Sequence, residues 1–228
     1  MKKDIKLMIS IIKAAPQLKF GIINTMLSLS GGICIELASS KFFEYNFLGL
    51  LFLSNATEVI YQSIILVSCS GLGQTSSSAK KLQVSFPFYL QLLINSIFFF
   101  FISIHRVYIA SNPALELSMK ENINMQCFGI VFFSALCFIS SIFNILSKKF
   151  FSLSLVGIIS FSVTYMIVFI HSIKHPQFFY NVTVFTFPTA ITSGFLIIFA
   201  GSLLSLLVAN LLYKYPLSAH VIKVNNKI

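Results

Sequence analysis

The sequence contains no tryptophan and only six acidic residues among 228 positions. Charged residues of both signs make up 10% of it, whereas an ordinary soluble domain carries about a quarter. So little charge cannot cover a water-facing surface, which excludes the usual soluble class. The nucleotide-cradling pattern G-x-x-x-x-G-K-[ST] is missing, and with it any P-loop within this chain. H-E-x-x-H and G-x-S-x-G are missing too, and no aspartate falls in an apolar run. The four cysteines, Cys34, Cys69, Cys127 and Cys137, form no C-x-x-C pair. They imply neither a disulfide framework nor a zinc site, and buried free thiols are expected. The N-terminus has no compact apolar core followed by a cleavage site, so its first apolar run is expected to be retained.

What remains is apolar. Hydrophobic residues account for 57%, phenylalanine alone for 26 positions, and mean hydropathy is +0.89. An apolar helix needs about 20 residues to cross the hydrocarbon of a bilayer. Six such runs are present, at roughly Phe20–Leu37, Asn46–Ser70, Ser85–Ile104, Asn124–Leu146, Phe150–Ser172 and Phe185–Tyr213. Backbone groups in lipid must be paired within the segment, and the ten-residue alternation of a barrel is absent, so the runs are expected to be helices. Residues 1–19 precede them as a basic stretch in which Ile5, Met8, Ile9 and Ile12 recur at helical spacing until Pro16. This predicts an amphipathic helix lying in the interface; a disordered basic tail is the alternative.

Lysine placement orients the chain. If both termini are cytoplasmic, Lys2, Lys3, Lys6, Lys13, Lys19, Lys80, Lys81, Lys148, Lys149, Lys214, Lys223 and Lys227 lie inside, leaving Lys41, Arg106, Lys120 and Lys174 outside. Short cytoplasmic loops carry the excess of Lys and Arg. The expected fold class is therefore an all-α polytopic membrane protein with six transmembrane helices, both termini cytoplasmic. It comprises an interfacial helix over 1–19, a membrane domain over 20–213 and a basic tail over 214–228. The net charge of +10 then reflects contact with anionic headgroups and implies no nucleic acid.

Within the runs, Asn55, Glu58 and Gln62 share one helical face, with Tyr61 beside them. Glu58 is read as the only acid deep in a span, Glu36 being near a helix end and Arg106 in an outer loop over 105–123. A carboxylate at depth marks a substrate path or a gate. The alternative is a structural polar face bonded to Asn95 or Asn144 of a neighbouring helix. Gly201, Ser205 and Ala209 recur every four residues, as do Ser28 and Gly32. Small faces of this kind suit either a seam between subunits or packing within one. His171 and His175 form a weak metal pair, and no metal is assigned. The stretch 173–188, with Pro176 and Pro188, suggests a broken helix dipping into the outer leaflet. Its Asn181-Val-Thr183 sequon carries no weight.

The polar break Gly71–Pro87, GLGQTSSSAKKLQVSFP, separates the second run from the third. Its part Ser77–Pro87 resembles a run found in small bacterial permeases of type-2 ABC exporters: Lys80, Lys81, Gln83, Ser85 and Pro87 match, and Val84 replaces a threonine. The arrangement of a basic interfacial helix, six spans and a cytoplasmic elbow is similar to that family along the whole chain. The resemblance implies a non-catalytic permease subunit that forms a path with a second permease chain, identical or different. It carries no cofactor itself; ATP is bound by separate cytosolic ATPase subunits. The elbow, with Ser77, Lys80, Lys81 and Gln83, would be the coupling surface, although its Gly and Ser content gives weak helix propensity. A peptide, an antibiotic or a lipid would suit an apolar path rich in Phe and Ser. The alternative is a stand-alone membrane protein, such as an immunity or assembly factor.

Overall fold

Long apolar runs with few internal breakers favour helices, and helices are what the chain forms. A computed structural model describes residues 18–38, 47–68, 79–111, 119–157 and 186–219, together with the isolated positions 74, 75, 77, 159, 160, 163 and 167. Five helices organise it: α1 (Leu18–Ala38), α2 (Leu48–Ser68), α3 (Phe86–Ser111), α4 (Met119–Lys149) and α5 (Phe187–Leu212). No strand occurs among the described residues. A further helical run over 151–157 turns back along α4, with the Ser154 hydroxyl donating to the Phe143 carbonyl at 3.3 Å. Residues 1–17 of the expected 1–19 helix, most of the elbow over 71–78, most of the fifth run beyond 157, residues 173–185, His171, His175, the sequon and 220–228 lie outside the described residues.

Local chemistry explains where two helices start. At α5, the Thr186 N–H donates to Thr189 Oγ1 at 3.0 Å. Pro188 sits in the first turn, where its missing N–H costs no hydrogen bond. Before α3, residues Lys81–Ser85 form one wide π turn, closed by the Phe86 N–H donating to the Lys81 carbonyl five residues back. Pro87 follows directly. It has no N–H to offer the Gln83 carbonyl, and its ring would crowd that carbonyl in a tight α turn, so the helix widens there. The expected loop at 71–84 is thus helical from Ala79 onward and runs continuously into α3.

Helices α1 to α4 alternate in direction, whereas α5 runs parallel to α4, with Gly194 against Ser134 and Gly201 against Phe138. Gly32 meets Leu53, and Gly49 meets Glu36, so α1 and α2 are antiparallel. Phe99 meets Gly194, and Val84 packs with Ala209, so α3 and α5 are antiparallel. Phe47 contacts Phe128 while Gln62 reaches Asn144, so α2 and α4 run the same way. The core is built by Leu50, Leu53, Phe99, Ile102, Ile130, Phe133 and Ile198, all fully buried.

The small-residue faces are used inside the chain. A Cβ added at Gly201 would lie 2.9 Å from the Phe138 Cα of α4. Ser205 and Ala209 are buried on the same side, and α4 and α5 share the most extensive contact in the bundle. Gly32 is filled by Leu53 of α2, with Ser28 buried one turn earlier. Where a subunit seam was one expectation, these faces hold neighbouring helices of one chain, because only small side chains allow so close a crossing.

The radial pattern is inverted relative to a soluble protein. Gln91, Asn95, Arg106 and Gln126 are at most 3% exposed, while Leu93, Ile104 and Leu211 are 60–73% exposed. Large apolar side chains facing outward over polar ones facing inward need an apolar solvent. Three helical stretches are long and apolar enough to cross a membrane: Lys81–Ser111, Met119–Lys149 and Phe187–Leu212. At 1.5 Å per residue each exceeds the roughly 30 Å hydrocarbon layer. These features mark a membrane protein.

Candidate functional site

Chain direction brings lysines from separate helices to one end. Lys80 and Lys81 start the helix that becomes α3, Lys148 and Lys149 end α4, and Lys214 follows α5. Lys80, Lys81 and Ser77 are exposed, and Gln83 is half-buried one turn further in. Lys80 Nζ lies 6.0 Å from the centre of the Tyr213 ring. Lys148 Nζ lies 5.3 Å from the centre of the Tyr61 ring and donates to its hydroxyl at 3.3 Å. Lys149 donates to the Tyr215 carbonyl, and the Ser218 N–H donates to the Lys148 carbonyl at 2.8 Å. The end of α4 is therefore tied both to α2 and to the segment after α5.

A polar face leads inward from that end. Gln62 Nε2 donates to Glu58 Oε1 at 2.9 Å and to Asn144 Oδ1 of α4 at 3.0 Å. Glu58 is half-buried, Tyr61 is buried, and Asn55 is exposed. Two of the four expected path residues, Tyr61 and Gln62, thus join α2 to α4; Glu58 is bonded to Gln62 within α2, and Asn55 takes no part. Lys148 reaches the neighbouring Tyr61 rather than Glu58 among the contacts described. A glutamine at position 58 still offers Gln62 a carbonyl oxygen. Glu58→Gln is therefore expected to leave detergent-solubilised stability unchanged. Gln62→Leu loses the bond to Asn144 and is expected to cost about 1 kcal/mol. Thermal unfolding of the two variants checks this pair of outcomes.

The opposite end holds a buried ion pair. Arg106, expected in an outer loop, lies inside α3, which continues to Ser111, and is completely buried. Its Nη2 donates to Glu36 Oε2 of α1 at 2.8 Å, and its Nε lies 2.8 Å from Glu36 Oε1. Its Nη1 donates to Gln126 Oε1 of α4 at 2.9 Å, and Gln126 Nε2 donates to Asn122 Oδ1 at 3.1 Å. His105 Nδ1 stands 3.3 Å from Glu36 Oε1. The guanidinium packs over Gly129, where a Cβ would lie 3.4 Å from Cζ, in van der Waals contact. Glu36 lies in the last turn of α1, as expected, but is only 1% exposed, so Glu58 is not the only acid removed from the surface. The planar fork of arginine suits this two-point grip on a carboxylate.

A sequence signal for this cluster exists. In a helix Gln91, Asn95 and Arg106 fall within about 60° of one another, a polar stripe on an otherwise apolar run. The stripe extends the third run past Ile104 and turns Arg106 inward. On α4, Asn122, Gln126 and Asn144 fall within about 40° of one another in the same way; Glu36 on α1 carries no such signal.

The two ends can clamp helices, carry charge and meet anions. Among the described residues no three His, Cys, Asp or Glu side chains gather as a metal set. Cys127 and Cys137 are buried thiols, and Cys34 is exposed. Compared with protein-family models, curated proteins and solved structures, the chain matches none.

Proposed function

We propose that this chain is the membrane-spanning permease subunit of an ATP-driven ABC exporter. In this reading it has six spans, with the lysine end and both termini on the cytoplasmic side of the cell membrane. It forms the path with a second permease chain, and ATP is bound by separate cytosolic ATPase subunits, so no catalysis is assigned to this chain. The observation that carries the reading is the elbow. Exposed Lys80 and Lys81 stand on a helical segment that runs unbroken through the π turn into α3. At its far end the same helix carries Arg106, which grips α1 and α4. A partner pressing on the elbow moves α3 as a rod, and the movement reaches the Glu36–Arg106 clamp on the other side of the membrane.

One observation favours the second reading, a stand-alone membrane protein. The faces built around Gly32 and Gly201 are filled within the chain, which suits a self-contained bundle. A pull-down of the tagged chain in mild detergent, with mass spectrometry of what co-purifies, separates the two. The exporter reading expects a stoichiometric ATPase bearing a P-loop, lost when Lys80 and Lys81 are both replaced by Glu. A chain that comes down alone, or an ATPase retained by that variant, overturns the assignment of partner or surface respectively.

A further inference from the structure

A cleft opens at the lysine end between α4, α5 and the elbow. Its deep wall is apolar, made by Ile145, Ala209 and Leu212. Its rim carries Lys148, Lys149, Gln83 and Tyr213, with Leu217 closing one side. Both lysines line the cleft, with Lys148 Nζ donating to the Tyr61 hydroxyl and Lys149 Nζ to the Tyr215 carbonyl. Both lysines are half-buried, unlike the exposed Lys80 and Lys81. The cleft sits where apolar helices end in Lys and Tyr, the usual level of headgroups.

We propose that this cleft binds an anionic phospholipid, with the headgroup phosphate on Lys148 and Lys149 and an acyl chain against Leu212 and Leu217, the half-buried apolar residues of its lining. The chain has 16 basic and 6 acidic residues, so its own carboxylates cannot balance its cations. An anion from the bilayer fits that excess, and the apolar lining fits the tail attached to it. Half-buried lysines within a cleft accept a headgroup entering from the side, whereas a cytosolic protein meets the exposed Lys80 and Lys81 first. The proposal rests on the membrane character of the chain and not on the exporter reading. Occupancy ties the end of α4 to α5, and so stiffens the surface beside the elbow.

The absence of tryptophan supplies a clean test. Leu217→Trp places a single indole at the cleft of the full chain. The protein is reconstituted into phosphatidylcholine vesicles containing small fractions of brominated phosphatidylglycerol or brominated phosphatidylcholine, and indole quenching is read. Brominated phosphatidylglycerol is expected to bind about tenfold more tightly, and Lys148→Gln with Lys149→Gln is expected to erase the preference. Gln83→Glu, which leaves both lysine contacts in place, is expected to reduce it severalfold and decides the matter if the double variant does not fold. Equal quenching by the two lipids overturns the proposal, as does a preference that survives these substitutions. Relief of quenching by millimolar inorganic phosphate at constant ionic strength overturns the lipid assignment in favour of a soluble phosphate.

Discussion

Replacing Arg106 with methionine is expected to destabilise the chain by about 3–5 kcal/mol. Methionine matches much of the length of the arginine stem but supplies no donor. Glu36, at 1% exposure, would keep a carboxylate in an apolar interior without the guanidinium that now lies 2.8 Å from both of its oxygens. Gln126 Oε1 would lose the donor that now stands at 2.9 Å. Glu36→Met is expected to cost a similar amount, because it leaves the buried cation instead. The double variant is expected to be more stable than either single one. Desolvating two charges is expensive, and an apolar pair of similar volume removes that cost together with the attraction. Thermal unfolding of the four proteins in detergent closes the double-mutant cycle. Additive losses would show that the two side chains are not energetically coupled and would remove the clamp from the mechanism. Under the exporter reading proposed above, a double variant that folds but does not support export would show that the pair is kept for movement rather than stability.

The second large effect concerns a single methyl group. Gly49→Ala is expected to cost about 1–3 kcal/mol. A Cβ at that position would sit 2.7 Å from Glu36 Oε2 and 2.8 Å from the Glu36 backbone nitrogen. The second contact is with main chain, so a side-chain rotation cannot relieve it. Helices α1 and α2 must separate, and the Glu36 carboxylate must leave its place against Arg106. Gly31→Ala on α1 is the control, since its Cβ would meet nothing nearer than Phe52 Cδ1 at 4.0 Å. There the better helix propensity of alanine should stabilise by up to about 1 kcal/mol. The same substitution is thus expected to act with opposite sign at two glycines on facing helices. Equal effects on unfolding temperature would mean that the α1–α2 crossing is looser than these distances.

Much of the helical framework could be read from hydrophobicity. The runs placed near 20–37, 46–70 and 185–213 coincide with α1, α2 and α5 to within two residues at each end. The third and fourth runs were read too short, because polar residues at their ends looked like loop. Arg106, Asn122 and Gln126 belong to helices whose polar side chains face inward. Composition alone cannot tell an inward arginine near a helix end from one in water; a facing carboxylate decides it. The small-residue faces show the same limit. Spacing of Gly201, Ser205 and Ala209 announces a close helix crossing but does not name the helix that crosses.

The sequence by itself determined the apolar helices, the scarcity of charge and the lysines near run ends, since each depends only on neighbours along the chain. Proline placed the π turn and the start of α5 in the same way. Tertiary structure decided the partnerships: Glu36 with Arg106, Gln62 with Asn144, Lys148 with Tyr61. Their partners lie 70, 82 and 87 residues apart. A buried polar group must find its complement wherever packing brings one, and hydrophobic periodicity says which side faces in, not what waits there.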